Sequence, residues 1–303
     1  MIDFQPLEIE KKAVYDGFLK NSGKEGCEYS FINLYMWGRQ KAAICGDFLV
    51  FFSQFNRKSV YLYPAGCGDV RPVVERIIQD AQKRGIPCRL TSLSQEDCQK
   101  LEQLFPGKFR FHCDRDAFDY VYAVSDLATL AGRKYQKKRN HVNRFWQSHP
   151  DAHFVELTQE NLPLAEDLLQ QWFAQRRIED PHGDFHMEQA ALARAMKNYT
   201  RLGLEGLLLM DGQTPLAVTM GSFLKEHTVD VHFEKALQAE QGTYTAINQG
   251  FARHLQEKYP QLLWLNREDD MGMEGLRKAK ISYCPERLVE KYWACLVEDG
   301  CDY

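Results

Sequence analysis

VDVHFEKAL, Val229 to Leu237, reads as a strand whose alternation sets Val229, Val231 and Phe233 on one face and Asp230, His232 and Glu234 on the other. A helix follows, TYTAINQGFARHLQEK from Thr243 to Lys258, with Tyr244, Ile247, Phe251 and Leu255 on one side and Pro260 ending it. Then comes a second strand, LLWLN, Leu262 to Asn266. The acidic face of the first strand and the exit of the second are where chemistry is to be sought.

Upstream stand strand HFVEL, helices from about Thr158 to Arg177 and from about Met187 to Leu202, and strands EGLLLM and PLAVTMGSFL joined by turns DGQ and KEHT. Downstream lie NREDDMGMEGLRKAK, Asn266 to Lys280, and a last strand RLVEKYWACLV. One strand, two helices, three antiparallel strands, helix, strand, helix, strand is the order of the GNAT acyltransferase fold. The first half fits a shortened version. It has strands FLVFFSQF and SVYLYPAG, a helix VRPVVERIIQDAQKRG with Asp69 to cap it, strand PCRLTSL, a helix opened by Ser94, and strand FDYVYAV. The expected class is therefore α/β (α+β): two tandem GNAT-like domains, 1–131 and 151–303, each a mixed, mostly antiparallel sheet flanked by helices, with a basic connecting helix at 132–150.

A chain of 303 residues is long enough for about two such domains. An apolar share of 44% and a charged share of 26% rule out wholesale disorder. The net charge of -4 argues against a protein that coats nucleic acid, and no DNA partner is expected. The start, MIDFQPLEIEKK, has no signal-like pattern and no apolar run is long enough to span a bilayer, so the expectation is cytoplasmic and without a transmembrane segment. Nine scattered cysteines with no Cys-x-x-Cys spacing read as reduced, mostly buried thiols. The histidines of PHGDFH, Pro181 to His186, read as a loop, and no metal is expected. No nucleophile elbow, Walker sequence or dinucleotide fingerprint occurs, which removes the hydrolase, P-loop and Rossmann classes.

KYQKKRNHVNRF at 134–145, HFEKAL with QGTYTAINQGFA at 232–252, NREDDMGMEGLRKAKISYCP at 266–285 and EYSFINLYMWG at 28–38 resemble a bacterial family of unknown function grouped with the C-terminal domain of phosphatidylglycerol lysyltransferases. The resemblance implies tandem GNAT-like domains and kinship with aminoacyl-tRNA-dependent transferases, including the Fem peptidyltransferases, whose acceptors are peptidoglycan precursors. The large membrane domain of the lysyltransferases has no counterpart here, which puts a phospholipid acceptor in doubt. The acetyltransferase pyrophosphate loop is also missing, since the chain reads AEQGTYTA around Gly242.

In the GNAT plan the fourth and fifth strands part, and the donor carbonyl lies between them. Here Glu234 and Glu268, with His232 and Asn266, converge there. Transfer to an amine needs a base, and a carboxylate beside a second one in a partly dry cleft holds its proton more tightly, which suits that task. Glu234 ranks first, then Glu268, then Asp269; the alternative for Glu234 is a surface charge paired with Lys235. Gly242 and Thr243 open a helix whose free N–H groups suit a phosphate, or make a simple N-cap. The basic segment aims Lys134, Lys137, Lys138, His141 and Arg144 along one side, with Arg139, Asn140 and Asn143 adding hydrogen bonds, while Tyr135, Val142 and Phe145 turn inward. It reads as an anion site for tRNA, CoA or a lipid head group, or as a solvated linker. Glu274, Arg277, Lys278 and Lys280 match what a helix dipole favours, although Arg277 and Lys278 could also meet a phosphate. The expected function is transfer of an aminoacyl group from aminoacyl-tRNA, or of an acyl group from acyl-CoA, to an amine or hydroxyl acceptor. The other class is a non-catalytic module that binds CoA, a nucleotide or tRNA.

Overall fold

The computed structural model describes residues 1–55, 58–237 and 242–300. In chain order the elements are β1 (Gln5–Pro6), α1 (Lys12–Asn21), α2 (Phe31–Trp37), β2 (Gln40–Cys45), β3 (Phe48–Phe55), β4 (Lys58–Gly66), α3 (Arg71–Arg84), β5 (Arg89–Leu93), α4 (Gln95–Leu104), β6 (Phe109–Cys113), β7 (Asp119–Ala123) and α5 (Val124–Thr129). They continue with α6 (Gln136–Ser148), β8 (Ala152–Glu156), α7 (Leu162–Glu179), α8 (His186–Lys197), α9 (Tyr199–Leu202), β9 (Glu205–Asp211), β10 (Thr214–Lys225), β11 (Thr228–Ala236), α10 (Thr243–Lys258), β12 (Trp264–Asn266), α11 (Glu274–Ile281), β13 (Arg287–Val289) and β14 (Tyr292–Leu296).

Two seven-stranded sheets form, ordered β1-β2-β3-β4-β5-β14-β6 and β13-β7-β12-β11-β10-β9-β8. Read from β1 and from β8 they repeat one plan. Four antiparallel strands come first, then a parallel pair linked by a helix: β4 and β5 through α3, β11 and β12 through α10. Two further strands complete each sheet. This is the tandem GNAT-like, mixed α/β architecture that the element order predicts.

The compact units are not the contiguous halves expected at 1–131 and 151–303. One comprises Met1–Asp119, Asp269–Glu274 and Leu288 onward; the other comprises Tyr120–Glu268 and Gly275–Arg287. The segment RLVEKYWACLV, read as one strand, is two, and β14 enters the first sheet between β5 and β6. FDYVYAV, assigned to the first half, instead pairs antiparallel with β12 in the second sheet. β7 and β14 thus fill equivalent slots in opposite sheets. Alternation marks a strand but not its partner, so the exchange leaves no trace in the pattern. Within the first unit Lys291, just before β14, is almost fully buried against Asp119 at 2.5 Å and Glu28 at 2.7 Å, and its carbonyl accepts the Asp114 N–H at 2.9 Å. Burial works against that ammonium, but the two carboxylates outweigh it and hold Lys291 well above the usual lysine range.

Local chemistry explains the helix ends. Pro72 sits in the first turn of α3 and Gly85 closes it in the left-handed region; Val70 takes the N-cap position, while Asp69 accepts the Arg71 N–H at 3.0 Å. Ser94 and Asp97 form a capping box at α4. The segment read as one helix to Leu202 breaks at Asn198 into α8 and α9. Among the described residues seven cysteines are free, three of them buried, whereas Cys295 is disulfide-bonded and departs from the all-thiol expectation. Among the described residues no helix is long and apolar enough to cross a membrane.

Candidate active site

The second unit carries the expected strand pair. β11 and β12 are parallel over Thr228/Trp264, Val229/Leu265 and Asp230/Asn266 only, while β11 continues to Ala236. On its other edge β12 keeps its partner: Arg267 N–H donates to Tyr120 O at 2.9 Å and Tyr120 N–H to Glu268 O at 3.2 Å. The chain leaving β12 follows β7 and parts from β11, so His232 and Glu234 lie beyond the last paired position.

Glu268 occupies that opening. Its φ of +55° is in the left-handed region, a cost of roughly 1 kcal/mol or more for a side chain of this type. Three contacts impose it: the Asn266 side chain accepts the Glu268 N–H at 2.7 Å, Tyr120 holds the Glu268 carbonyl, and the Lys280 ammonium donates to the carbonyls of Arg267 at 2.5 Å and Glu268 at 3.1 Å. The carboxylate keeps 18% exposure, with Oε1 at 3.2 Å from His232 Nδ1. His232 is 1% exposed at its side chain, and its Nε2 lies 2.8 Å from Ser222 Oγ. A neutral ring that satisfies both contacts carries its proton on Nδ1, donates it to Glu268 and accepts the Ser222 hydroxyl proton. Asp230 Oδ2 stands 3.5 Å from the same Nδ1. Donor atoms of Asp230, His232 and Glu268 all lie within 4.8 Å of one another, a spacing that a divalent cation could also bridge.

Glu234 has different neighbours from those expected. Its Oε1 pairs with Arg267 Nη2 at 2.9 Å and its Oε2 accepts from Asn248 Nδ2 at 3.2 Å, so a cation and an amide hold it rather than a second carboxylate. Lys235 does not pair with it; that ammonium meets Glu188 at 2.6 Å and lies 4.0 Å over the Trp172 ring. Arg267 packs on Tyr283, 4.9 Å from the ring centroid, and Lys138 lies 3.6 Å over the same ring. Burial pulls against the Arg267 charge, and the Glu234 carboxylate more than compensates. Lys138 has no such partner, and burial followed by repulsion from Arg267 pushes it down to about 8. Arg267 Nη1 is buried with no hydrogen-bond partner. Two cations against one carboxylate leave this recess suited to an anion.

The other expected residues divide. In the basic helix Tyr135, Val142 and Phe145 are buried as predicted, whereas Lys137, His141, Asn143 and Arg144 face solvent. Lys134 pairs with Asp126 at 2.9 Å, and Arg139 closes the preceding turn by donating to the carbonyls of Leu130 and Gly132. Of that set only Lys138 joins the recess. Gly242, at φ +85°, does provide a close approach, but to the protein itself: a Cβ there would stand 2.4 Å from the His141 carbonyl oxygen. Thr243 is buried as the first residue of α10, and the N-cap position falls to Gly242, which has no side chain to cap with. Residues 239–241 of AEQGTYTA lie outside the described residues. Arg277 is half-buried and Lys278 exposed on α11, and Asp269 belongs to the first unit. Lys280 differs from the expected dipole role: its ammonium turns back to donate to the Arg267 and Glu268 carbonyls.

Arg267, Lys280, Ser222 and Asp230 are therefore the participants that residue patterns left unassigned. Arg267 sits inside the quoted NRED, and a basic residue one place before a candidate base on a strand exit was the available signal. The parted parallel strand pair gives the chain a GNAT-like fold, with a buttressed carboxylate at its mouth and a cationic recess alongside.

The chain belongs to the family described as phosphatidylglycerol lysyltransferase, C-terminal, whose model matches residues 20–295. A conserved protein of unknown function from Bacteroides thetaiotaomicron is 36% identical, covering 98% of this chain and 100% of that one, with a TM-score of 0.90. L-PGS from Bacillus licheniformis (16% identity; 98% and 94% coverage; TM-score 0.70) and FemX (10%; 97% and 97%; 0.59) are similar in fold. An uncharacterised protein of Mycoplasmoides gallisepticum is 25% identical over 178 residues, which are 57% of this chain. The match spans about half the length of that curated relative, 54%.

Proposed function

We propose that the second unit moves an aminoacyl group from aminoacyl-tRNA to an amine or hydroxyl, with Glu268 as proton acceptor. The observation that carries this reading is Glu268 at the point where β11 and β12 part, its backbone held by Asn266 and Lys280 and its carboxylate by His232. An acceptor ammonium gives its proton to Glu268, and the freed nitrogen attacks the ester carbonyl. The tetrahedral intermediate then collapses with cleavage of the ester C–O bond: Glu268 returns its proton to the ribose oxygen that leaves, and the new amide nitrogen releases its second proton to solvent. His232, held by Ser222, keeps the carboxylate oriented through the cycle; Lys138 and Arg267 offer the recess for an anionic part of donor or acceptor.

An acyl-CoA donor is the second reading. The contact of Gly242 with the His141 backbone weighs against it, because the approach that a pyrophosphate would need at the α10 start is filled by α6. The test is transfer of radiolabelled amino acids from a mixed charged-tRNA pool to small amines and peptidoglycan-precursor-like peptides, run beside acetyl-CoA. Deacylation that depends on acceptor and on Glu268 supports the reading. Turnover with CoA thioester alone replaces it, and no transfer from either, with undiminished ligand binding by Glu268→Gln, leaves a binding module.

A further inference from the structure

The first unit contains a cavity of about 410 Å³ that plays no part in the chemistry above. Its volume is in the range of small-molecule sites, roughly 300–1,000 Å³. The lining mixes three chemistries: Leu34, Phe51, Leu62 and Trp293 are apolar, Glu28 supplies an acid, and Arg39 and Lys58 supply cations. Ser92 lines it too, in the left-handed region at φ +60°, with its carbonyl fixed by the Tyr29 hydroxyl at 3.1 Å.

Glu28 is the informative group. Its Oε1 meets Lys291 at 2.7 Å, but that ammonium is shared with Asp119 at 2.5 Å, and Glu28 Oε2 is buried with no hydrogen-bond partner. A carboxylate oxygen left unsatisfied costs about 1–3 kcal/mol, and the Glu28 side chain, 26% exposed, gains by turning that oxygen toward a donor brought by a ligand. Burial also pushes the Glu28 carboxyl up, a penalty that a bound cation relieves.

We propose that this cavity binds a small zwitterion with an apolar side chain, a free α-amino acid or a dipeptide, its ammonium at Glu28, its carboxylate at Arg39 and its side chain against Phe51 and Trp293. Both charged groups and the apolar side chain of the ligand then each match a chemistry present in the wall. The site is independent of Glu268 and of the transfer reaction.

Calorimetric titration of the whole protein with L-phenylalanine, L-leucine and leucyl-leucine tests this, with N-acetyl-L-phenylalanine and phenethylamine as single-charge controls. The expected result is saturable binding of at least one zwitterion, weakened at least tenfold by either blocked end, by Glu28→Gln and by Arg39→Gln, and unaltered in Glu268→Gln. A preference for leucyl-leucine identifies a dipeptide, and a preference for the single residues identifies an amino acid. No heat with any zwitterion at millimolar concentration, or equal binding of the blocked controls, overturns the proposal. Should Glu28→Gln fail to fold, Arg39→Gln decides alone: a folded Arg39→Gln protein that binds as the parent does contradicts the assignment.

Discussion

Glu234→Gln and Glu268→Gln should have opposite consequences. Glu234 is 11% exposed and faces an Arg267 side chain that is 14% exposed, so removing its charge leaves a desolvated guanidinium without its counterion. Breaking a buried pair from one side costs about 3–5 kcal/mol. At roughly 2–4 °C per kcal/mol for a unit of this size, Glu234→Gln should lower the melting transition of the second unit by about 6–20 °C. The double variant Glu234→Gln/Arg267→Met removes both charges and should recover much of the loss. Glu268 is 18% exposed, and its amide counterpart still offers an oxygen to His232, so Glu268→Gln should shift the same transition by no more than about 1 kcal/mol. Differential scanning calorimetry with circular dichroism at a fixed scan rate reads both. A Glu234→Gln protein that melts with the parent while Glu268→Gln collapses would refute this division of labour.

Other outcomes follow from the same geometry. Lys138 should react with acetic anhydride along a titration centred near pH 8; because its folded pKa lies below its unfolded one, its unfavourable contribution to stability should fade as pH rises from about 8 toward 10.5. A midpoint near 10.5, read by competitive labelling and peptide mass spectrometry, would remove it from the recess. Gly242→Ala adds a methyl 2.4 Å from the His141 carbonyl at φ +85°, and should cost at least about 1–2 kcal/mol in a urea melt; an unchanged midpoint would mean that α6 and α10 do not pack this way. Lys280→Met leaves two carbonyls without their ammonium, about 1–3 kcal/mol, and should lower kcat more than it changes KM, since Glu268 loses its clamp. A change in KM alone would mean that Lys280 serves binding instead.

The β11, α10, β12 frame was legible because alternation, a 3.6-residue stripe and a terminating proline each mark a local event. The opening between the strands was legible for the same reason, through the shared face of His232 and Glu234 and the exit at Asn266. What was hidden depends on partners remote in sequence. Glu234 looked like a base because nothing local announces that Arg267, 33 residues away, neutralises it. Lys280 looked like dipole compensation because its reach back to Arg267 and Glu268 depends on how α11 folds against the strand exit. The exchange of β7 and β14 was invisible because equivalent slots in the two sheets accept either apolar strand. Gly242 shows a subtler limit: the need for close approach was readable, but whether a phosphate or the protein's own backbone made that approach was not.

Single-turnover transfer from purified aminoacyl-tRNA, comparing the parent protein with Glu268→Gln across pH 6 to 9, tests the role of Glu268 most directly. The transfer rate should fall by about 10²–10⁴-fold in Glu268→Gln, with charged-tRNA binding retained. Equal rates in the two proteins would contradict the assignment of Glu268 as the proton acceptor.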